Sequence, residues 1–119
     1  MSYQKMNRKI KSDWIKNLRS GIFIQGRDRL LTYDKLSNQY RFCCLGVLCN
    51  MGKHRDERWK RKSNQYGMWF TYDRQAFNLP HDVQYYAGLS DAALDRLVYM
   101  NDIKKCDFNQ IANWILKNL

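Results

Sequence analysis

Between Lys53 and Lys62, six Lys or Arg side chains stand in ten residues, with Trp59 among them and Asp56 and Glu57 as the acids. Cations interleaved with an aromatic ring suit a phosphate backbone whose base stacks on the ring. Guanidinium forks also hold phosphate oxygens two at a time. The candidate binding residues of this run are Lys53, Arg55, Arg58, Trp59, Lys60, Arg61 and Lys62. The same run also reads as a solvated loop kept soluble by its charge, or as a contact for an acidic protein surface. A second candidate is Gln25-Gly26-Arg27-Asp28-Arg29, where a glycine turn could offer backbone N–H groups, and Arg27 and Arg29 their forks, to a phosphate. Arg19 joins the cationic set. The turn lacks the Gly-x4-Gly-Lys-Ser/Thr spacing of nucleotide hydrolases, and it reads equally as a plain turn with exposed charge.

Thiol chemistry is the third possibility. Cys43 and Cys44 open an apolar run, and a helix beginning there would favour a thiolate. The base would be His54 or His81, the two histidines of the chain, and both sit in polar stretches. Cysteines in so apolar a run, Cys43 to Cys49, read first as packing. Cys44-x4-Cys49 near His54 does not match the close cysteine pairs of zinc sites. Paired carboxylates at acid/base spacing and a Ser/His/Asp pattern are not found. No metal or cofactor is expected.

Charge is divided unevenly along the chain. Residues 1–62 carry sixteen Lys and Arg against five Asp and Glu; residues 63–119 carry five against six. An uneven distribution of this kind builds a one-sided positive potential that draws anionic partners. The 119 residues suit one domain, 1–119, and 45% hydrophobic content suits a packed core. No apolar run approaches the roughly 18–20 residues of a membrane span. The start, Met1 to Met6, has no apolar signal core, so an intracellular setting with reduced thiols is expected. Eight Tyr, four Trp and five Phe exceed what so small a domain must bury, so some are expected at an interface.

The elements that must hold these groups follow from periodicity. Ile10, Trp14, Ile15 and Leu18 form one helical stripe, stopped at Ser20-Gly21. Residues 22–24 are β-rich. Residues 29–33 and 39–42 flank a five-residue loop and predict a hairpin. Residues 43–51 predict a buried helix closing on Gly52, with Gly46 marking a close packing contact. Residues 53–65 read as a polar loop, and 66–72 as a strand added to the hairpin. Pro80 opens a helix that stops at Gly88, Ser90 caps another, and Asp107 with Gln110 forms a capping box for the last. The final two helices could form a helix-turn-helix, but their region lacks the positive charge of a DNA reader, and a helical hairpin packed on the sheet fits better.

A resemblance joins these pieces. Trp14-x3-Leu18-Arg-Ser-Gly21-x-Phe23-x-Gln25-Gly26 is followed by Phe42-Cys-Cys-Leu-Gly-Val-Leu-Cys49, then by Leu79-Pro-x-x-Val83-Gln84-x-x-Ala87-Gly-Leu89. Met100-Asn101-Asp102 and Phe108-x-x-Ile111-Ala112-x-Trp114-Ile115 complete the series. In order and length the chain resembles a family of small phage and prophage proteins of uncharacterised role. That resemblance implies a mobile-element origin and action in the cytoplasm of a bacterial host; it implies no reaction. The family pattern has Asp after the third cysteine, where this chain has Asn50, and the 53–62 run is peculiar to this chain.

The expected fold is α+β: a small antiparallel sheet packed by an N-terminal helix, a buried Cys-rich helix and C-terminal helices. The expected function is that of a non-enzymatic accessory protein occupying an anionic host partner, nucleic acid or a nucleic-acid complex, away from membranes. A sponge for a nucleotide signal and a cysteine-dependent enzyme are the alternatives.

Overall fold

The computed structural model describes residues 3–119 and has the expected α+β architecture. Helix α1 (Arg8–Arg19) buries Trp14, Ile15 and Leu18, the predicted stripe. It ends where predicted, with Gly21 in the left-handed region at φ 77°. Five strands follow in a single sheet: β1 (Ile24–Gln25), β2 (Leu31–Asp34), β3 (Gln39–Phe42), β4 (Trp59–Asn64) and β5 (Gly67–Tyr72), ordered β1-β3-β2-β5-β4. The β2–β3 hairpin and the addition of β5 to β2 follow the sequence reading.

Two corrections concern the sheet. It is mixed rather than antiparallel, because the short β1 lies parallel to β3, pairing Ile24 with Arg41 and Gln25 with Phe42. The basic run is not a loop. Arg55–Arg58 form one helical turn, α3, and Trp59–Asn64 form the edge strand β4, paired along its whole length with β5. Lysines and arginines disfavour a central strand, yet at an edge they meet water and discourage pairing with other chains.

Helix α2 (Cys44–Asn50) is the hub of the core, with Cys44 to Cys49 all buried. Trp14 Nε1 donates to the Cys44 carbonyl at 2.9 Å, fastening α1 to it. Gly46 is required here: a Cβ would stand 1.9 Å from the Leu30 carbonyl oxygen. Gly52, expected as a left-handed stop, is not among the residues with positive φ. It is small because the Tyr72 hydroxyl would lie 2.8 Å from its Cβ.

Helices α4 (His81–Ala87), α5 (Asp91–Val98) and α6 (Phe108–Asn118) complete the fold, with one π-helical turn at Tyr99–Ile103 extending α5. Gly88 at φ 75°, the Ser90 cap and the Asp107–Gln110 capping box stand as predicted. The final helix packs on α1 rather than on the sheet. Arg19 donates to Asn113, and the Lys11 ammonium to the Leu116 carbonyl at 3.2 Å. No helix among the described residues is long and apolar enough to cross a membrane.

Candidate nucleic-acid interface

Residues paired across neighbouring strands project from the same face of a sheet. The registers therefore set Lys62, Trp69, Thr32, Arg41 and Ile24 in one row spanning all five strands. Lys60 and Thr71 lie one step along the same face. The guanidinium of Arg29 covers the Trp69 ring at 4.1 Å and reaches the Phe77 ring at 5.3 Å. Arg29 thus stacks on the indole, and Lys60, Lys62 and Arg41 lie on the same face of the sheet. Among the described residues neither Lys60 nor Lys62 pairs with an acid, whereas Arg41 lies 3.7 Å from Asp34. The Asp34 carboxyl is held below its usual range by the Ser37 hydroxyl and the Leu36 N–H, with Arg41 adding to them. Beside Lys60, Lys62 and Arg74 runs a groove of about 500 Å³ that also takes in Thr71, Asp73 and Glu57.

The opposite face carries Trp59, Arg61, Phe70, Tyr72, Tyr40 and Phe42. Trp59 is half-buried there. Its ring meets Tyr72 edge-on at 4.8 Å, and its Nε1 donates to Asn50 Oδ1 at 3.2 Å. It joins the sheet to α2, which removes it as the exposed stacking ring of the basic run. Arg58 is likewise committed. Its Nε donates to Asp73 Oδ2 at 2.9 Å, its Nη2 meets both Asp82 oxygens at 2.9 Å, and its plane lies 4.4 Å from the Tyr72 ring. The Asp73 hydrogen bond raises its pKa above the ordinary arginine value.

The ten candidates of the basic set therefore separate. Lys60, Lys62 and Arg29 share one sheet face; Arg61 projects from the other. Lys53 and Arg55 are exposed on the turn before β4, and Arg55 lies 3.9 Å from Asp56. Arg19 sits at the end of α1 against α6, away from the sheet. Arg27 is exposed beside Gly26, but the turn there is no phosphate cradle. Gly26 N–H donates to the Phe42 carbonyl at 2.7 Å, and Asp28 N–H to Asp102 Oδ1 at 3.0 Å, so these donors are already used.

Trp69 belongs to the aromatic surplus expected at an interface, whereas Arg41, Thr32 and Thr71 carry no such expectation. A signal for Trp69 and Thr71 was present: the alternation Trp69-x-Thr71 mirrors Lys60-x-Lys62, as two hairpin partners should. Arg41 and Thr32 became visible only with register.

The thiols are poorly suited to nucleophilic work. Cys43 caps α2, its sulfur accepting the Gly46 N–H at 3.4 Å, and burial pushes its pKa up to about 12. Burial pushes Cys44 and Cys49 well up too. His54 and His81 are both exposed. A cleft of about 230 Å³ between α1, α2 and α4 has Arg58 on its wall, already neutralised by Asp73 and Asp82, and it also presents Asp13. A nucleotide phosphate finds no free cation there.

Residues 6–119 match the model of a family described as a domain of unknown function, DUF8296, and the chain belongs to that family. No curated protein and no solved structure matches the chain.

Proposed function

We propose that this DUF8296 member is a non-enzymatic binding protein whose sheet takes single-stranded nucleic acid across the row Lys62–Trp69–Thr32–Arg41. The observation that carries this reading is the placement of Arg29, Arg41, Lys60 and Lys62 on the sheet face that presents Trp69, with Arg29 stacked on the indole. Sheet faces that bind single strands combine cations for the backbone with aromatic or guanidinium planes for the bases. Here the Arg29 guanidinium lies on Trp69, so a base stacks on the outer plane of that pair or displaces it. A duplex fits less well, because it keeps its bases stacked and inaccessible to such a platform.

The phage setting implied by the resemblance supplies a purpose: occupancy of a host nucleic acid, or of a complex exposing one, interferes with the process that needs it. Fluorescence anisotropy with a labelled twelve-nucleotide oligo-dT, its RNA counterpart and a duplex tests the binding step. The single strands should bind more tightly than the duplex, and Trp69→Ala should weaken them about tenfold, the effect of losing one stacked base. Equal affinity for all three, or indifference to Trp69→Ala, would refute the platform. Capture of an acidic host protein that survives nuclease would move the face to a protein partner.

A further inference from the structure

Tyr72 is fully buried, and its hydroxyl has no hydrogen-bond partner among the described residues. Buried hydroxyls are nearly always paired, so an orphan calls for a cause. Burial raises the Tyr72 pKa, which keeps the group a neutral O–H donor at ordinary pH. The hydroxyl lies beside Gly52, where a Cβ would stand 2.8 Å away. Tyr72 and Gly52 both line the 230 Å³ cleft, whose remaining walls are largely apolar: Ile10, Leu48, Met51, Val83, Tyr86 and Ala87. The hydroxyl oxygen is closed to solvent here, and the absence of a side chain at Gly52 means that a ligand reaches it by displacing a wall side chain alone.

The charges round the cleft select the ligand. Asp82 is bound to Arg58, and Asp13 to Lys9 at 3.1 Å. No unpaired cation awaits an anion, and the carboxylates present would repel one. The volume exceeds the roughly 150 Å³ of an apolar cavity that admits benzene. We propose that this cleft binds a small neutral molecule, about one ring with a short substituent, whose single hydrogen-bond acceptor takes up the Tyr72 O–H. Its entry moves Met51, a flexible side chain on the same wall. The proposal is independent of the nucleic-acid face.

Two probes of one shape separate the acceptor from the apolar body: acetophenone, with a carbonyl, and ethylbenzene, without. In methyl-detected NMR of the intact chain, acetophenone should shift Leu48, Met51 and Val83 signals saturably. Ethylbenzene should bind about tenfold more weakly, the effect of one hydrogen bond to a buried neutral donor. Tyr72→Phe should fold at least as stably, because the hydroxyl has no partner to lose, and should erase the difference between the probes. Val83→Trp, which fills the cleft while leaving the Tyr72 hydroxyl in the chain, should abolish acetophenone binding. Absence of saturable shifts with either probe, an unchanged preference in Tyr72→Phe, or binding retained in Val83→Trp would each overturn the proposal.

Discussion

Asn101 shows how one side chain joins parts of the chain that are far apart in sequence. It is fully enclosed, and its Oδ1 accepts from Gln25 Nε2 at 2.9 Å and from Cys44 N–H at 3.2 Å. Its Nδ2 donates to the Gly26 carbonyl at 3.0 Å and to Asp102 Oδ1 at 2.7 Å. The Gln25-Gly26, Cys43-Cys44 and Asn101-Asp102 pieces of the resemblance thus meet in one buried polar network. Such networks are costly when half-satisfied. Asn101→Leu should therefore lower the urea-unfolding free energy by about 2–4 kcal/mol, through stranded donors and acceptors. Gly46→Ala should be about as damaging, because the Leu30 carbonyl at 1.9 Å is backbone and must move; a normal unfolding midpoint would show that contact to be slack. The thiols make a pH prediction. Cys43 keeps its proton to about pH 12 in the fold, against an ordinary value of 9.0, and Cys44 and Cys49 shift the same way. The unfolded chain binds fewer thiol protons above pH 9, so their stabilisation is whole below that pH and falls as pH rises towards 12. Each such thiol should contribute a loss of up to about 1.4 kcal/mol per pH unit. Urea titrations under reducing conditions between pH 8 and 10.5 measure the slope, and Cys43→Ala should make it shallower.

At the scale of elements, β4 is the instructive case. Its residues, Trp-Lys-Arg-Lys-Ser-Asn, have little β propensity and no apolar alternation, so a loop was the natural reading. Pairing with the aromatic strand β5 overrides that preference, and Trp59 anchors its start against Tyr72. Once the run is a strand, its cations no longer act as one patch: Lys60 and Lys62 go one way and Arg61 the other. Replacing Lys60 and Lys62 together by Ala should weaken oligo-dT binding strongly and reduce its salt dependence, whereas Arg61→Ala should change both little. Equal effects from the two variants would mean that the charge acts as a diffuse cloud and not as a face. The C-terminal helical pair shows the same rule from the other side. Its capping and periodicity are local and match the expectation, but α6 packs on α1 and α5 on α2, not on the sheet.

At the scale of the whole molecule, the imbalance between residues 1–62 and 63–119 is partly absorbed by tertiary contacts. Asp73 and Asp82, from the acidic half, neutralise Arg58 of the basic half. The cations that share the Trp69 face of the sheet are Arg29, Lys60, Lys62 and Arg41, the last within 3.7 Å of Asp34. If all four meet phosphates of a single strand, log affinity should fall with log salt at a slope of about −3. A slope near zero would remove the backbone contacts; a much steeper one would draw in Lys53, Arg55 and Arg27 as well.

The chain's own order of residues determined what depends on near neighbours: the α1 stripe, the β2–β3 hairpin, the caps at Ser90 and Asp107, and the close approach at Gly46. These are set by spacing of a few residues, and spacing is visible in sequence. Only the folded molecule decided which strand β1 joins, that 59–64 is a strand, which cations share a face, and that Arg58 and Trp59 serve the fold. Each of those rests on pairing between segments distant along the chain, where the free energy of a strand register or an ion pair belongs to two places at once. Neither place carries the answer alone.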